Sequence, residues 1–485
     1  MKIMYVSAEV APFAKAGGLG DVLGALPVAV ERQGNECAIF TPLYGNINCA
    51  EYNIVDIPNS SLKLRFSTAE YRFNLKMCKL PNSNINVFFI ESKKYFSSFR
   101  AIYPARMNPR YEQEKYVVFA KAVLEYAKLL NFKPDVVHLN DWHTVVLGAY
   151  LKTVYNKDEF YKNAKVAFSI HNLAYQGTYY DDILDFAQLP KNLSEPVDDR
   201  NVRNIRIVNW LKNAIKLSDI LFTVSPKYAE EIQGSEFGCG LNYELSKRRK
   251  DIKGILNGLD DEIFNPLTDE NLVKNYDFSN HEDKIHSKKE ICKMFKIKDV
   301  EKPLIAVIAR LVEQKGFDLI IQAVDDLKEL DANFIIFGSG DRYYADFFEK
   351  LNQKNINIKA NTHYDEGLAH KIFAASDMLL MPSHFEPCGI TQMIAMKYGS
   401  IPLVRAVGGL ENTVVGYPLN GANGFKFWRY EKDDMMICIR MALEVYKDKK
   451  TFTALIKNAM ESDFSWDKSA KLYCEAYKKA IPVAR

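Results

Sequence analysis

Short apolar runs recur along the chain, each followed by glycine or polar residues and then by a segment of helical periodicity. In the first half they lie at 3–6, 37–40, 87–90, 136–139, 166–170, 220–224 and 252–256; in the second half they lie at 304–308, 334–337, 378–381 and 401–404. Runs that are continuously apolar, rather than alternating, predict strands covered on both faces. Strands alternating with helical segments predict right-handed βαβ units, and therefore an α/β fold. Two such series predict two Rossmann-like doubly wound domains. The boundary is expected after Asn257-Gly258-Leu259-Asp260, giving domains at 1–260 and 261–465. A closing helix is expected over 466–485, where DKSAKLYCEAYKKA carries apolar residues at helical spacing. The stretch 265–302, rich in Asn, Lys, Asp and Glu, reads as polar surface helix and loop.

Composition narrows the class of protein. With 485 residues, 48% hydrophobic and 26% charged, the chain reads as an ordinary globular protein of two or three domains. The 64 basic and 61 acidic residues leave a net charge of +3, which favours neither nucleic acid nor a membrane as partner. No apolar run approaches the roughly 18 residues of a membrane span. The opening MKIMYVSAEV holds only a four-residue apolar run, short for a signal peptide and suited to a first strand. Eight cysteines without a C-x-x-C pair suggest neither a disulfide framework nor a zinc site. A cytoplasmic location is expected, with a mature plastid protein as the alternative.

The unusual residues cluster just after predicted strands, where open α/β sheets bind ligands. Two sheets facing each other would line one cleft with these loops. Lys15 to Asp21 (KAGGLGD) offers glycines, a cation and a helix start, suited to a phosphate or to a plain tight turn. Glu386 to Thr391 (EPCGIT) has Pro387 and Gly389 at a helix start, so the N–H groups of Gly389, Ile390 and Thr391 suit a diphosphate; Glu386 equally suits the helix dipole alone. Cys388 reads as a packed small residue, since no histidine partner is evident. Arg310 and Lys315 stand five residues apart in one loop, able to neutralise a departing diphosphate or to rest as a surface pair. His171 suits a sugar hydroxyl or a structural role, and Asp141 suits an acceptor contact or a turn cap.

Together these segments resemble the bacterial glycogen synthase and plastid starch synthase family. The resemblance rests on KAGGLGDV from Lys15, HLNDWH from His138, SIHNLAYQG from Ser169, FTVSPKYAEEI from Phe222 and EFGCGL from Glu236. It continues through ILNGLD from Ile255, ARLVEQKG from Ala309, FGSGD from Phe337, SHFEPCGITQMIAMKYG from Ser383 and VRAVGGL from Val404. The resemblance implies a GT-B fold and a retaining glucosyltransferase that moves glucose from ADP-glucose to the non-reducing end of an α-1,4-glucan such as glycogen, without a metal or other cofactor. It implies catalytic roles for Glu386, Lys315, Arg310, His171 and Asp141. It implies substrate contacts from Lys15, Gly18, Asn172, Asn257, Tyr364, Cys388, Gly389, Ile390 and Thr391, with Tyr364 stacking on the adenine.

The chain departs from the family pattern in places. Ser97-Ser98 follow Tyr95-Phe96 where the family commonly has Asp-Arg, the stretch 178–204 matches poorly, and Asn412 stands where aspartate is frequent. The divergent loop at 95–110 bears on the acceptor. UDP-glucose as donor, another retaining transferase of the same fold and a non-catalytic glucan-binding relative are the alternatives. A dehydrogenase is disfavoured because no G-x-G-x-x-G follows the first strand.

Overall fold

The computed structural model describes residues 1–104, 107–197, 205–354 and 357–481. The chain forms two compact units, one of Met1–Val224, Ala229–Gly258 and the stretch from Trp466, the other of Ser225–Tyr228 and Leu259–Ser465.

The first unit is built on seven parallel strands: β1 (Lys2–Val6), β2 (Glu36–Pro42), β3 (Asn86–Glu91), β4 (Val136–Asn140), β5 (Lys165–Ile170), β6 (Ile220–Thr223) and β7 (Ile252–Gly254). Their order is β7-β6-β5-β4-β1-β2-β3. The chain leaves β1 towards β2 and β3, then returns to place β4 on the other side of β1. That reversal between β1 and β4 is the switch point, where α/β sheets open a ligand crevice. Helices α1 (Gly18–Arg32) and α2 (Pro109–Leu129) cover the sheet, and the Asn108 side chain caps α2 by accepting from Arg110 N–H at 2.8 Å. Beyond β3 the sheet continues antiparallel through Ala69–Lys79, which pairs with Leu62–Phe66 and Val55–Asp56. Its sequence, AEYRFNLKMCK, alternates polar with apolar residues, so a search for continuous apolar runs passes over it.

The second unit holds six parallel strands: β8 (Leu304–Ile308), β9 (Asn333–Phe337), β10 (Ile358–Asn361), β11 (Met378–Met381), β12 (Ile401–Arg405) and β13 (Phe425–Phe427). Their order is β10-β9-β8-β11-β12-β13, which puts the switch point between β8 and β11. The two strands absent from the pattern-based reading, β10 and β13, are the edges, where IKAN and FKF interrupt apolar with polar residues. Helix α3 (Lys284–Met294) corrects the expectation of a polar surface segment. It buries Lys284, Ser287, Lys288, Ile291 and Cys292. The lysines are satisfied: Lys284 Nζ donates to Tyr398 O at 2.6 Å, and Lys288 Nζ pairs with Asp377 at 2.7 Å. Burial pushes Lys284 down to about 7. Helix α4 (Thr391–Lys397) follows β11 and ends before Gly399, whose φ of +66° suits glycine.

The chain then returns to the first unit as α5 (Trp466–Ala480), which packs on α1 and β6. Within that core His138 Nδ1 bonds the Tyr477 hydroxyl at 2.7 Å and its Nε2 bonds Ser169 Oγ at 2.7 Å. Burial holds the His138 imidazole down to about 3, hence neutral. Among the described residues no helix is long and apolar enough to cross a membrane. Tyr477→Ala should cost about 3–5 kcal/mol, as for other large buried aromatics, and Tyr477→Phe about 1–3 kcal/mol for the unpaired His138 nitrogen. Urea denaturation of the two variants against the wild type checks both; equal stability of Tyr477→Phe and wild type would show that the hydroxyl contributes nothing.

Candidate active site

In the first unit, three loops leave the carboxyl ends of β1, β4 and β5. The loop after β1 is folded on itself by paired hydrogen bonds between Val10 and Ala14, both 2.9 Å, and ends at Gly17, which opens α1 in extended backbone. A Cβ at Gly17 would meet nothing within 4 Å, so the helix start is open to an approaching group. Lys15 pairs with Asp21 of the first turn of α1 at 2.7 Å. A phosphate drawn to this lysine therefore competes with a carboxylate already there.

After β4 comes Asp141, a buried residue at φ +54°, in the left-handed region that side chains with a Cβ adopt at a cost of about 1–3 kcal/mol. Its Oδ1 accepts from the His171 N–H at 2.8 Å. Desolvation raises its carboxyl to about 7, partly opposed by N–H bonds from His171 and Asn172 and reinforced by Glu9. After β5, His171 Nε2 meets Asn140 Oδ1 at 3.0 Å. The Asn140 amide nitrogen donates to the Val6 and His138 carbonyls, so its oxygen faces His171 as acceptor. Nε2 of His171 therefore carries the proton, and Nδ1 holds the lone pair. Desolvation pushes His171 down to about 4, so the ring is neutral at physiological pH and its second nitrogen is a hydrogen-bond acceptor. Asn172 caps its own turn by accepting from Ala174 N–H at 3.1 Å. Asn257, after β7, is buried, and its Oδ1 has no hydrogen-bond partner among the described residues.

In the second unit, a cavity of about 160 Å³ sits at the switch point. It is lined by the ends of β8 and β11 and by Arg310, Lys315, Ser383 and Thr391. Lys315 Nζ lies 2.5 Å from Glu386 Oε2, which also accepts from Ser383 Oγ at 3.1 Å. Glu386 is 5% exposed, so this is a desolvated pair rather than a surface one. Arg310 is exposed and has no ion-pair partner among the described residues. Gly389, at φ +72°, turns the chain into α4. The first N–H groups of α4, Thr391 foremost, have no acceptor within the helix. Gln392 Nε2 ties this loop down, donating to Gly389 O at 2.8 Å, Cys388 O at 3.2 Å and Thr413 Oγ1 at 3.1 Å. Cys388 is buried, in keeping with a packed small residue.

The glycines of VRAVGGL explain themselves here. A Cβ on Gly408 would overlap the Glu386 carbonyl oxygen, and one on Gly409 would overlap that of Cys388. Gly409 N–H donates to Glu386 O at 3.0 Å. The backbone of the Glu386 loop therefore rests directly on a second backbone. Ser225 Oγ adds a 2.6 Å bond to Pro387 O, and Asn412 Oδ1 accepts from Lys227 N–H at 2.8 Å. An aspartate oxygen at position 412 would accept the same bond.

Thus Asp141, His171 and Asn172 gather at one end of the first sheet, with Lys15 and Gly18 at its switch point. Arg310, Lys315, Glu386 and Thr391 gather at the switch point of the second, next to Cys388, Gly389 and Ile390. Tyr364 stands apart from that cavity, in the loop beyond β10, 59% exposed with its ring 5.8 Å from Phe337. Sequence reasoning overlooks Glu9, Asn140, Ser383 and Gln392. Each is a polar residue inside or beside an apolar run, as Glu9 is in YVSAEVAPF and Gln392 in ITQMIAM, and that incongruity is the available signal.

Models of two families match the chain: the starch synthase catalytic domain over residues 2–247 and the glycosyl transferases group 1 over residues 289–461. The chain is 38% identical over 489 residues to a glycogen synthase of Thermosipho melanesiensis, covering 99% of each. It is 39% identical over 494 residues to a glycogen synthase of Clostridium botulinum, again covering 99% of each. Among solved structures it is similar to the catalytic domain of starch synthase IV from Arabidopsis thaliana bound to ADP and acarbose, with a TM-score of 0.90, 32% identity and 99% of each chain covered. The fold is accordingly GT-B, with two Rossmann-like domains.

The geometry makes two outcomes measurable. Gly409→Ala forces apart two backbones and should destabilise the second unit by about 1–3 kcal/mol; an unchanged denaturation midpoint would mean that the loops have slack. Asp141 holds its proton more tightly folded, at about 7, than at its ordinary 3.8. Its stabilising contribution is therefore full below 3.8 and lost as pH rises through about 7. Relative to Asp141→Asn, the wild type should lose stability between about pH 4 and about pH 7, and a pH-independent difference would refute the raised pKa.

Proposed function

The chain belongs to the glycogen synthase and starch synthase family of hexosyltransferases, and from that membership we propose that it transfers glucose from ADP-glucose to the non-reducing end of an α-1,4-glucan with retention at the anomeric carbon. Glycogen synthesis from a nucleotide sugar is its reaction; the adenine base and the roles of individual residues are our reading. The observation that carries those roles is the desolvated Lys315–Glu386 pair beside Arg310 and the start of α4, at the switch point of the second sheet.

A nucleoside diphosphate leaves readily once its growing charge is met, so the protonating acid of a hydrolase is dispensable. Arg310, Lys315 and the N–H groups of Gly389 to Thr391 supply that positive potential. Glu386, fixed by Lys315 and Ser383, accepts from hydroxyls of the glucose. The bond from the anomeric carbon to the diphosphate breaks, and a bond to the terminal glucan hydroxyl forms on the same face. The hydroxyl proton passes to the departing phosphate. Lys15 and Gly18 contribute to the donor's phosphates and sugar, and the neutral His171 accepts from a glucose hydroxyl through Nδ1. Asp141 and Asn172 belong to the acceptor and sugar side, Asn257 offers its unpaired oxygen, and Tyr364 presents an exposed ring face to the adenine. The related starch synthase IV of Arabidopsis is bound to ADP and acarbose, which supports a nucleotide and a glucan-like ligand for this chain.

Nucleotide release with ADP-glucose and UDP-glucose, each with and without glycogen, tests the reading. Glycogen-dependent release of ADP should greatly exceed that of UDP; a preference for UDP-glucose would overturn the donor assignment. Lys315→Ala should lower kcat/KM on the order of 10²–10³-fold, and Glu386→Ala should lower kcat by a similar factor with the fold retained. Near-normal turnover of either would remove that residue from the machinery.

A further inference from the structure

Glu9 lies at the carboxyl end of β1, is 4% exposed, and is used by none of the steps above. Its Oε2 accepts from the backbone N–H of Ala16 at 2.7 Å and of Gly17 at 2.9 Å, and its Oε1 accepts from the Tyr103 hydroxyl at 2.8 Å. Ser7 Oγ accepts from the Glu9 N–H at 3.1 Å, which fixes the residue's own backbone. The Tyr103 ring in turn stacks on His143, with centroids 5.1 Å apart and an interplanar angle of 29°. Tyr103 belongs to the divergent loop at 95–110, of which residues 105 and 106 lie outside the described residues. The described part is held against the unit by Lys115 Nζ, which donates to Ile102 O at 2.8 Å, and by Gly45 N–H, which donates to Phe99 O at 2.8 Å.

Two consequences follow for the loop that carries Lys15. The Ala16 and Gly17 amides are engaged by a carboxylate and are closed to a phosphate. Gly18 N–H, the first amide of α1, has no acceptor among the described residues. A carboxylate with three donors around it holds the loop by charge-assisted bonds, each roughly twice as strong as a neutral one. Removing it strands two N–H groups at the mouth of a helix.

We propose that Glu9 and Tyr103 are positioning residues for donor binding: Glu9 sets the backbone of Lys15–Gly17 so that Lys15 and the Gly18 N–H meet the phosphates, and Tyr103 ties that setting to the divergent loop. The proposal rests on the donor reading of the Lys15 loop. It makes the loop at 95–110 act on the donor rather than only on the acceptor.

The test uses the full chain, with ADP as probe by calorimetry and with initial rates over ADP-glucose and glycogen. Lys15→Ala serves as reference, and thermal melts report folding. Glu9→Ala should raise both the ADP Kd and the donor KM on the order of tenfold or more, with the glycogen KM unchanged. Tyr103→Phe should raise them a few-fold. Glu9→Gln, whose amide oxygen still accepts from the two N–H groups while its nitrogen donates to the phenol, should restore most of the affinity. A lowered melting temperature with unchanged ADP Kd and donor KM would reduce Glu9 to a structural residue and overturn the proposal. If Glu9→Ala does not fold, Tyr103→Phe carries the decision, and wild-type donor parameters in it overturn the proposal. If Lys15→Ala keeps full ADP affinity, the donor reading of the loop itself fails, which is a different result from failure of Glu9 alone.

Discussion

A parallel strand covered by helices on both faces is open only at its ends, and that constraint governs everything else in this molecule. Both sheets are parallel through their centres, so every crossover carries the chain back before the next strand begins. The loops at the carboxyl ends are consequently adjacent to one another whatever their separation in sequence. Asp141 and His171 meet because β4 and β5 are neighbours. Lys315 and Glu386 meet because β8 and β11 flank the reversal in strand order. Chemistry is assembled by topology before any particular side chain is chosen.

Within that frame the candidate site groups are held in place by polar neighbours. Asn140 fixes the tautomer of His171, Ser383 and Lys315 share the Glu386 carboxylate, Gln392 fastens the Cys388–Gly389 turn, and Glu9 gathers the amides ahead of α1. The same desolvation that makes these bonds strong keeps His171 neutral and holds a proton on Asp141 to about pH 7. The glycines at 408 and 409 belong to the same strategy in another form: one backbone is used as the floor of another, which no side chain can do as rigidly.

The central strands and the loops that follow them are legible in the sequence, since a strand buried on both faces has no choice but to be continuously apolar. The edge strands β10 and β13 and the antiparallel strand Ala69–Lys79 are not: each has a wetter side, and their mixed composition resembles loop. The lysines of α3 read as surface because lysine almost always is; only the distant Tyr398 carbonyl and Asp377 make their burial tolerable. Motifs reveal the candidate site residues, whereas the anchors of those residues escape them. Nothing local to Glu9 says that two amides seven and eight residues later need an acceptor. The protonation states of Asp141 and His171 are likewise beyond the sequence, because desolvation is a property of the assembled site.

The return of α5 to the first unit has a consequence for how the protein is made. Synthesis proceeds from the N-terminus at roughly 5–20 residues per second, and domains ordinarily fold as they emerge. Here the first unit lacks its last helix until Tyr473 and Tyr477 have left the ribosome, after the whole second unit has been translated. Until then the faces of α1 and β6 that α5 covers, and the His138 nitrogen that Tyr477 satisfies, stay uncovered. The second unit, continuous from Leu259 apart from a four-residue segment already made, is free to fold first. Nascent chains stalled short of residue 466 would thus expose apolar surface on their oldest part, which makes that early-made half the one most in need of chaperone cover.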